Sequence, residues 1–569
     1  MYHLGLNAFH ADSSACLLKD GVIVCATEEE RFTRKKHWAG IPLESIKFCL
    51  ENAEIGIQDI QSISIGRDPK AKRSKKIKFL LTQPKLSWPM LRSRISNKSD
   101  LERLENVVSS RFGYCPPIKY VEHHRAHLGS AFYASPYEEA AVVSIDGSGD
   151  FSTVMIGLGK GSNIKVLESQ DFPVSVGLLY TAFTQYLGFP YYGDEYKVMG
   201  LSPYGYPKYV DQIRAIMSNG DNEILKADLS YFNFSKGVID YVDNIATVQK
   251  IFNEAKFEQV FGPSRQPKSE LTQKHKDIAK SLQYVTEELI FGILQRAHTI
   301  TESKNICLAG GVAQNSVANG KILQNTSFDS LYIPSAGHDA GISMGAAMWT
   351  YYNESCTERN QAVFDANLGI SFSNEQVKSI VDKLSLEAEF LEDDILFTTV
   401  AGYLADGKVV GFFDGQAEFG PRALGSRSIL ADPRNKNAKE LLNAKIKKRE
   451  SFRPFAPSIL EEYGTEYFEN YQFTPFMERV LPIRTEKREG IPSVTHADGS
   501  GRLQSVSREL RPRYHRLISE FHKITGVPIL INTSFNENEP VVNAPEHAID
   551  TFLRTDLDVL VIENYVLKK

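Results

Sequence analysis

The chain of 569 residues contains no C-x-x-C pair: its six cysteines, at positions 16, 25, 49, 115, 307 and 356, stand far apart. A disulfide scaffold and a cysteine zinc site are both poor fits, and a reducing cytoplasm is the expected compartment. There is no basic excess either. Lys and Arg number 65 against 70 Asp and Glu, a formal net charge of −5, which argues against a dedicated nucleic-acid coat. No apolar run approaches the roughly 20 residues that span a bilayer. The opening MYHLGLNAFHADSS lacks the charged-then-apolar order of a signal peptide. Apolar, aromatic and charged shares of 42%, 11% and 24% are ordinary for folded domains. A chain of this length exceeds a single core and is expected to hold roughly two to four domains.

The stretch that organises the chain is Val121–Asp150, VEHHRAHLGSAFYASPYEEAAVVSIDGSGD. His123 and His127 are spaced i and i+4, which on a helix stacks both imidazoles on one face, close enough to share a metal ion. A short apolar run then reads as a buried strand ending at Asp146, followed by Gly147, Ser148 and Gly149. A carboxylate at a strand tip before glycines suits a metal or a phosphate, because glycine lets backbone N–H groups approach. The plainer alternative is a helix with two surface histidines and an Asp/Gly turn.

Residues 3–27 read as strand, polar loop, strand, Asp-Gly turn, strand, and residues 139–166 repeat that plan. The repetition predicts two similar lobes, the pattern of the duplicated fold of actin, sugar kinases and Hsp70, an analogy that leaves the chemistry open. Between the copies, EEERFTRKKH (28–37) reads as a solvated helix start or as an anion-contacting loop. The basic, apolar-interleaved stretch 67–98 suits either a nucleic-acid or membrane contact or a solvated insertion. Residues 271–300 carry helical periodicity at Ile278, Leu282, Val285, Leu289, Ile290, Ile293 and Leu294. NICLAGGVAQNSVANGKI predicts strand, Gly310-Gly311 turn and helix, which would present N–H groups to an anion. In LYIPSAGHDAGISMGAA, Asp339 is either a further metal ligand or a helix N-cap.

A boundary is expected near 352–368. Beyond it lie an acidic, helix-like stretch at 374–407 and the strand GKVVGFFDG. The block EFGPRALGSRSILADPRNKNAKELLNAKIKKRESFRPFAPS (418–458) follows, with Arg422, Arg427, Arg434, Lys445, Lys447, Lys448, Arg449 and Arg453 set among Gly, Pro and Phe. Cations held on turns rather than on a balanced helix predict a pocket for a phosphate-bearing substrate. Arg502, in THADGSGRLQSV, and Asn532-Thr533-Ser534, at the end of a buried strand, fit the same pocket.

In order along the chain, HHRAH, the Asp146 loop, LAGGVAQN, GHDAGISMGAA and the three C-terminal blocks resemble the O-carbamoyltransferases of the NodU/CmcH/TobZ family. Their N-terminal part is similar to the universal tRNA threonylcarbamoyladenosine transferase. The resemblance implies an α/β chain with a duplicated actin/Hsp70-like two-lobed domain at 1–355, binding metal and transferring carbamoyl, and a YrdC-like domain at 365–569 that forms carbamoyl adenylate. It implies an Fe(II) site from His123, His127, Asp146 and Asp339. Two imidazoles and two carboxylates equally suit Mn(II) or zinc. A zinc peptidase is disfavoured, since HHRAH lacks the Glu of H-E-x-x-H. It further implies ATP with Mg, and carbamoyl phosphate converted to carbamoyl adenylate through carbamate. The expected contacts for that chemistry are Glu418, Arg422, Lys447, Arg449, Arg453, Arg502, Asn532 and Ser534. The adenylate would be met in the first domain by Lys36, Asp146, Gly147, Ser148, Gly149, Gly310, Gly311, Asn315 and Asp339. Its carbamoyl group would pass to a hydroxylated small-molecule acceptor, with His10 as base and Asp12 orienting it or binding the acceptor. A homodimer, no nucleic-acid partner and no membrane span complete the expectation.

Three rivals stand beside this reading. A threonylcarbamoyl transferase acting on tRNA would need a basic face, and a HypF-like maturation protein would need paired C-x-x-C fingers. A non-enzymatic actin- or Hsp70-like nucleotide-gated assembly protein would have no use for the His/His/Asp/Asp set.

Overall fold

The computed structural model describes residues 1–82, 103–355, 357–359 and 362–569. Residues 83–98 of the basic stretch lie outside them, and its described end, Arg73–Thr82, is helical. The chain divides into two compact units, residues 1–318 with 322–363, and residues 364–569 with 319–321. Among the described residues no helix is long and apolar enough to cross a membrane.

The first unit is built on two five-stranded sheets of the same topology. One holds Tyr2–Asn7 (β1), Ser14–Lys19 (β2), Val22–Glu28 (β3), Ile60–Ile65 (β4) and Ile118–Tyr120 (β5), in the order β3-β2-β1-β4-β5. The other holds Glu139–Gly149 (β6), Ser152–Lys160 (β7), Asn163–Asp171 (β8), Asn305–Ala309 (β9) and Ser330–Tyr332 (β10), in the order β8-β7-β6-β9-β10. In each, the first three strands are antiparallel neighbours and the last two add in parallel. The duplication expected from the two hairpin patterns is therefore present in the strand order itself.

Two small-residue helices connect these sheets. His123–Phe132 (α1) packs on β6 and β7, and Ile342–Ser355 (α3) packs on β1 and β2. They cross so closely that a Cβ on Gly345 would fall 1.8 Å from the Ala126 carbonyl oxygen, so glycine is required at the crossing. Ser14 Oγ bonds the Ala340 carbonyl at 2.7 Å, and Ser64 Oγ bonds Thr350 Oγ1 at 2.7 Å, satisfying hydroxyls that would otherwise be stranded between sheet and helix. With every residue of α1 but Arg125 covered, His123, His124 and His127 are all buried. The packing helix expected over 271–300 is Gln273–Thr301 (α2), with all seven of its predicted apolar positions buried.

The charged segment 28–37 is not the solvated helix start that its composition allows. Glu28, Glu29 and Arg31 are buried; Arg31 Nε donates to Glu28 Oε2 at 2.8 Å, and Glu29 accepts from the Ser45 N–H and hydroxyl. Glu29 thereby holds the first turn of the next helix, Leu43–Asn52, in place.

The second unit carries an eight-stranded mixed sheet. Its strands are Glu389–Phe390 (β11), Val410–Phe413 (β12), Arg427–Ala431 (β13), Ala456–Leu460 (β14), Gln504–Val506 (β15), Ile529–Ser534 (β16), Val559–Ile562 (β17) and Tyr565–Lys568 (β18), in the order β11-β18-β17-β12-β13-β16-β14-β15. Alternate residues serve two cores. Phe413, Ile429, Ile531 and Leu560 face one, with Val377 and Ile549 from flanking helices; Phe412, Leu430, Leu530 and Val561 face the other, with Phe397 and Phe521. The stretch 374–407 is two helices, Asn374–Lys383 and Asp393–Ala405, separated by β11. The first stops where Ser385 takes a left-handed conformation, φ +54°.

Candidate metal centre and anion site

The i, i+4 spacing on α1 and the tip of β6 bring the expected ligands together. Among the described residues, His123, His127, Asp146 and Asp339 form one fully buried group whose ligand atoms lie within 4.8 Å of one another. His123 Nε2 is 3.0 Å and His127 Nε2 is 3.4 Å from Asp146 Oδ2. His127 Nε2 is 3.5 Å and His123 Nε2 is 3.8 Å from Asp339 Oδ1. Asp339 starts a helical turn at Asp339–Gly341 but does not cap it: its Oδ2 instead lies 2.7 Å from His10 Nδ1.

The electrostatics are those of a cation site. Burial opposes charge on His127, but the Asp146 and Asp339 carboxylates overcome it and hold the imidazole up at about 9. Burial would raise Asp146 and Asp339; His123 and His127 pull the former well below the usual carboxylate range, and His10 with His127 does the same to the latter. His127 Nε2 and Asp339 Oδ1 are buried without a well-formed hydrogen bond. Leaving such atoms unpaired costs about 1–3 kcal/mol each, and a divalent ion between them removes that cost. The donor set therefore fits a metal.

Close approach accounts for two glycines around the centre. A Cβ on Gly149 would lie 2.1 Å from His123 Cδ2, and one on Gly310, where φ is +94°, would lie 2.3 Å from the Ile145 carbonyl oxygen. Gly147 and Gly311 both donate their N–H to Asp146 Oδ1, at 2.7 and 3.1 Å. Ser148 is half-buried beside them.

Three expectations for this unit change. Gly310-Gly311 leads not into a sustained helix but into one turn, Gly311–Gln314, and then the four residues Ser316–Asn319. The Gly311 N–H orients a ligand carboxylate instead of lying open to a phosphate. Asn315 forms a reciprocal amide pair with Gln283, at 3.0 and 3.1 Å, which makes it a brace to α2. Asp12 does not orient His10: its carboxylate binds His37 Nδ1 at 2.8 Å, while His10 pairs with Asp339. His37 was missed because it is the last residue of a dense charge run. It forms a second group with Asp12 and Glu30. Lys36 is exposed beside it.

In the second unit seven of the eight cations of 418–458 separate into two kinds. Arg427 is fully buried, donates to the carbonyls of Asp414, Ser426 and Ile370, and stacks 3.6 Å over Phe413. Arg434 pairs with Asp432, and Lys448 with Glu537. Lys447 is buried, with its Nζ bonded to the Ser534 carbonyl at 2.6 Å and to the Asn536 carbonyl and Oδ1 at 2.7 Å each. Lys447 thereby clamps the turn after β16.

Arg422, Arg449, Arg453 and Arg502 are the other kind. Burial, and then the charges of the other three, push Arg502 well below its usual value. All four are half-buried; Arg449 Nε donates to Asn443 Oδ1 at 2.7 Å and Arg453 lies 3.6 Å from Glu450 Oε2, and like charges brought together in this way favour an anion among them. Around them, Glu418 Oε1 accepts from the N–H groups of Leu424, Ser426 and Arg427, which shapes the Arg422 loop. Asn532 Nδ2 donates to Ser458 Oγ and Gln504 Oε1, and Ser534 Oγ donates to Asn536 Oδ1. Glu418 Oε2 and Asn532 Oδ1 remain buried without a hydrogen-bond partner.

Comparison with known proteins finds relatives over nearly the whole chain. Residues 2–348 match the family model for the carbamoyltransferase N-terminus and residues 401–569 that for the carbamoyltransferase C-terminus. An uncharacterized protein of Synechocystis sp. is 40% identical over 100% of this chain and 96% of its own length. The nodulation protein NolNO of Sinorhizobium fredii is 39% identical over 99% of this chain and 80% of its own. Among solved structures, component A of the (R)-2-hydroxyglutaryl-CoA dehydratase of Acidaminococcus fermentans aligns with a TM-score of 0.34 at 15% identity, over 62% of this chain and 99% of that one.

Proposed function

The chain belongs to the carbamoyltransferase family, and on that footing we propose that it makes carbamoyl adenylate from carbamoyl phosphate and ATP in the second unit and transfers the carbamoyl group to a sugar or natural-product hydroxyl in the first. Membership sets aside the non-enzymatic assembly reading. In the donor half, carbamoyl phosphate loses its phosphate to water, leaving carbamate. The carbamate oxygen attacks the α-phosphate of Mg-bound ATP, expelling pyrophosphate. Arg422, Arg449, Arg453 and Arg502 supply the guanidinium donors that balance the anions and the charge developing in transfer. The YrdC-like character of this unit belongs to the same proposal.

In the acceptor half, His123, His127, Asp146 and Asp339 would hold a divalent ion, Fe(II) being the one the family resemblance names. When bound, the ion supplies a Lewis acid for the carbamoyl carbonyl. The acceptor oxygen bonds to the carbamoyl carbon, the bond to the adenylate phosphate breaks, and AMP leaves. In this reading His10, whose Nδ1 lies 2.7 Å from Asp339 Oδ2, takes the hydroxyl proton.

The observation that carries the reading is the gathering of four arginines, three of whose charges bear on Arg502, in a chain whose other unit buries a metal-ligand set. The test follows AMP and pyrophosphate from α-labelled ATP. Both are expected only when carbamoyl phosphate is present, and not with Arg449→Ala. A folded protein that consumes no ATP under these conditions overturns the donor assignment.

A further inference from the structure

One side chain beside the arginine cluster has a chemistry that the reaction above leaves unused. His496 sits in the turn that leads into the strand Ser500–Arg502. Its N–H donates to the Ser500 carbonyl at 2.8 Å, and the Gly499 N–H donates to its own carbonyl at 2.9 Å. Ser500 Oγ gives its one hydrogen to Asp498 Oδ1 at 2.6 Å. Toward His496 Nδ1, 3.3 Å away, that oxygen can therefore only accept. Nδ1 carries the ring hydrogen, and Asp498, through Ser500, fixes the tautomer.

The ring is also neutral. Burial lowers His496 to about 4, and the Arg502 and Lys439 charges add to that against Asp498. A neutral imidazole with its hydrogen on Nδ1 leaves Nε2 a bare acceptor. Nε2 is buried and has no hydrogen-bond partner. The Arg502 charge acts on this ring, and the charges of Arg422, Arg449 and Arg453 act on Arg502.

Guanidinium groups donate and never accept. The guanidinium groups can meet the phosphate oxygens and the carbonyl oxygen of carbamoyl phosphate but offer nothing to the carbamoyl NH₂, which needs an acceptor such as those left without a partner at His496 Nε2, Glu418 Oε2 and Asn532 Oδ1. That NH₂ is the group that separates carbamoyl phosphate from acetyl phosphate, which is nearly the same size and carries the same charge. We propose that His496 Nε2 accepts a hydrogen bond from the carbamoyl NH₂ and so selects carbamoyl phosphate over acyl phosphates that have a methyl there. The inference rests on reading the second unit as the carbamoyl phosphate site. The discrimination comes from the analogue's failure: a methyl against Nε2 leaves a buried acceptor unpaired, which a site built for an N–H penalises strongly.

The test is calorimetric binding, on the full chain and without ATP, of carbamoyl phosphate, acetyl phosphate and inorganic phosphate in turn. The wild type is expected to prefer carbamoyl over acetyl phosphate by about 100-fold or more. His496→Leu should lose most of that preference by weakening carbamoyl phosphate alone, with acetyl phosphate and phosphate held within about 3-fold. His496→Gln, whose Oε1 restores a neutral acceptor, should recover most of it. An undiminished preference in His496→Leu overturns the proposal. So does an equal weakening of all three anions, since His496 would then only support the pocket. If the wild type binds none of the three, the donor-site reading itself falls, and the inference with it.

Discussion

His37 Nδ1 and Asp12 Oδ1 meet at 2.8 Å, and both residues hold left-handed backbone, φ +55° and +57°. Non-glycine residues adopt that conformation at a cost of about 1–3 kcal/mol and keep it where surrounding structure insists. Here the His37 N–H also donates to Glu30 Oε2 at 2.9 Å, which locks the turn. Tyr192 lies edge-on to the ring at 5.0 Å, and a Cβ on Gly193 would come 3.1 Å from Nε2.

The pair predicts a pH signature. Burial pulls His37 down, but Asp12, with help from Glu30 and against Lys36, raises it to about 8. The folded value exceeds the ordinary 6.5, so the stabilisation is fully present below pH 6.5 and is lost as pH rises through 8. Asp12→Asn removes the dominant raising charge and leaves burial to prevail, so the imidazole should titrate at or below 6.5. Imidazole NMR titration of wild type and variant checks this; an Asp12→Asn ring that still titrates near 8 would show that Asp12 is not its partner.

A second prediction concerns a glycine at van der Waals contact with a ligand. Ala at 149 would bring its Cβ within 2.6 Å of His123 Nε2, so the ring must swing away from Asp146. The overpacking should cost about 1–3 kcal/mol, read as a lower unfolding midpoint. Iron and zinc content by mass spectrometry should fall to a small fraction of wild type. Full metal loading in Gly149→Ala would mean that the ring is not fixed where α1 places it.

Much of this site was legible in the sequence, and the limits are physical. Helical spacing brings His123 and His127 to one face, and period-2 hairpins with an Asp-Gly turn announce the duplicated sheets, because both signals are local. The fate of a charge is not local. Lys447 and Arg449 look alike in the sequence, yet Lys447 turns inward onto the 534–536 turn, while the Arg449 charge bears on Arg502. Asp12 lies two residues from His10 but finds His37, because Phe9 and Asp12 both take left-handed conformations and turn the loop between them. Gly310-Gly311 reads like the start of a phosphate-binding helix, and only the folded chain shows the Gly311 N–H taken by Asp146.

Removing the metal centre should separate the two half-reactions. His127 lies between both carboxylates, at 3.4 and 3.5 Å; His127→Ala deletes a ligand and, since the site is buried, no water can replace it without further loss. Carbamoyl transfer should drop by about 100-fold or more, as for loss of a Lewis acid. Formation of AMP and pyrophosphate from carbamoyl phosphate and ATP should stay within about 3-fold. A parallel collapse of both activities would place the metal in the donor half as well.

The last prediction sets buried Lys447 against half-buried Arg502, two cations with opposite relations to stability. The Lys447 ammonium satisfies two backbone carbonyls and the Asn536 amide oxygen. Lys447→Met strands these acceptors in a dry turn, and a hydrogen-bonded buried charge lost in this way costs about 2–4 kcal/mol. Arg502 is held among three like charges that disfavour its own, so Arg502→Met removes repulsion and should leave stability unchanged or raise it by about 1 kcal/mol. Function should invert the order. Binding of phosphate or carbamoyl phosphate should weaken by about 10-fold or more in Arg502→Met, as expected for loss of a charged hydrogen-bond donor. It should change little in Lys447→Met at temperatures where that variant is folded. Denaturant unfolding followed alongside anion titration gives both quantities for each protein. If Arg502→Met proves the less stable variant, its neighbours do not strain it, and the cluster is a structural network rather than a site poised for an anion.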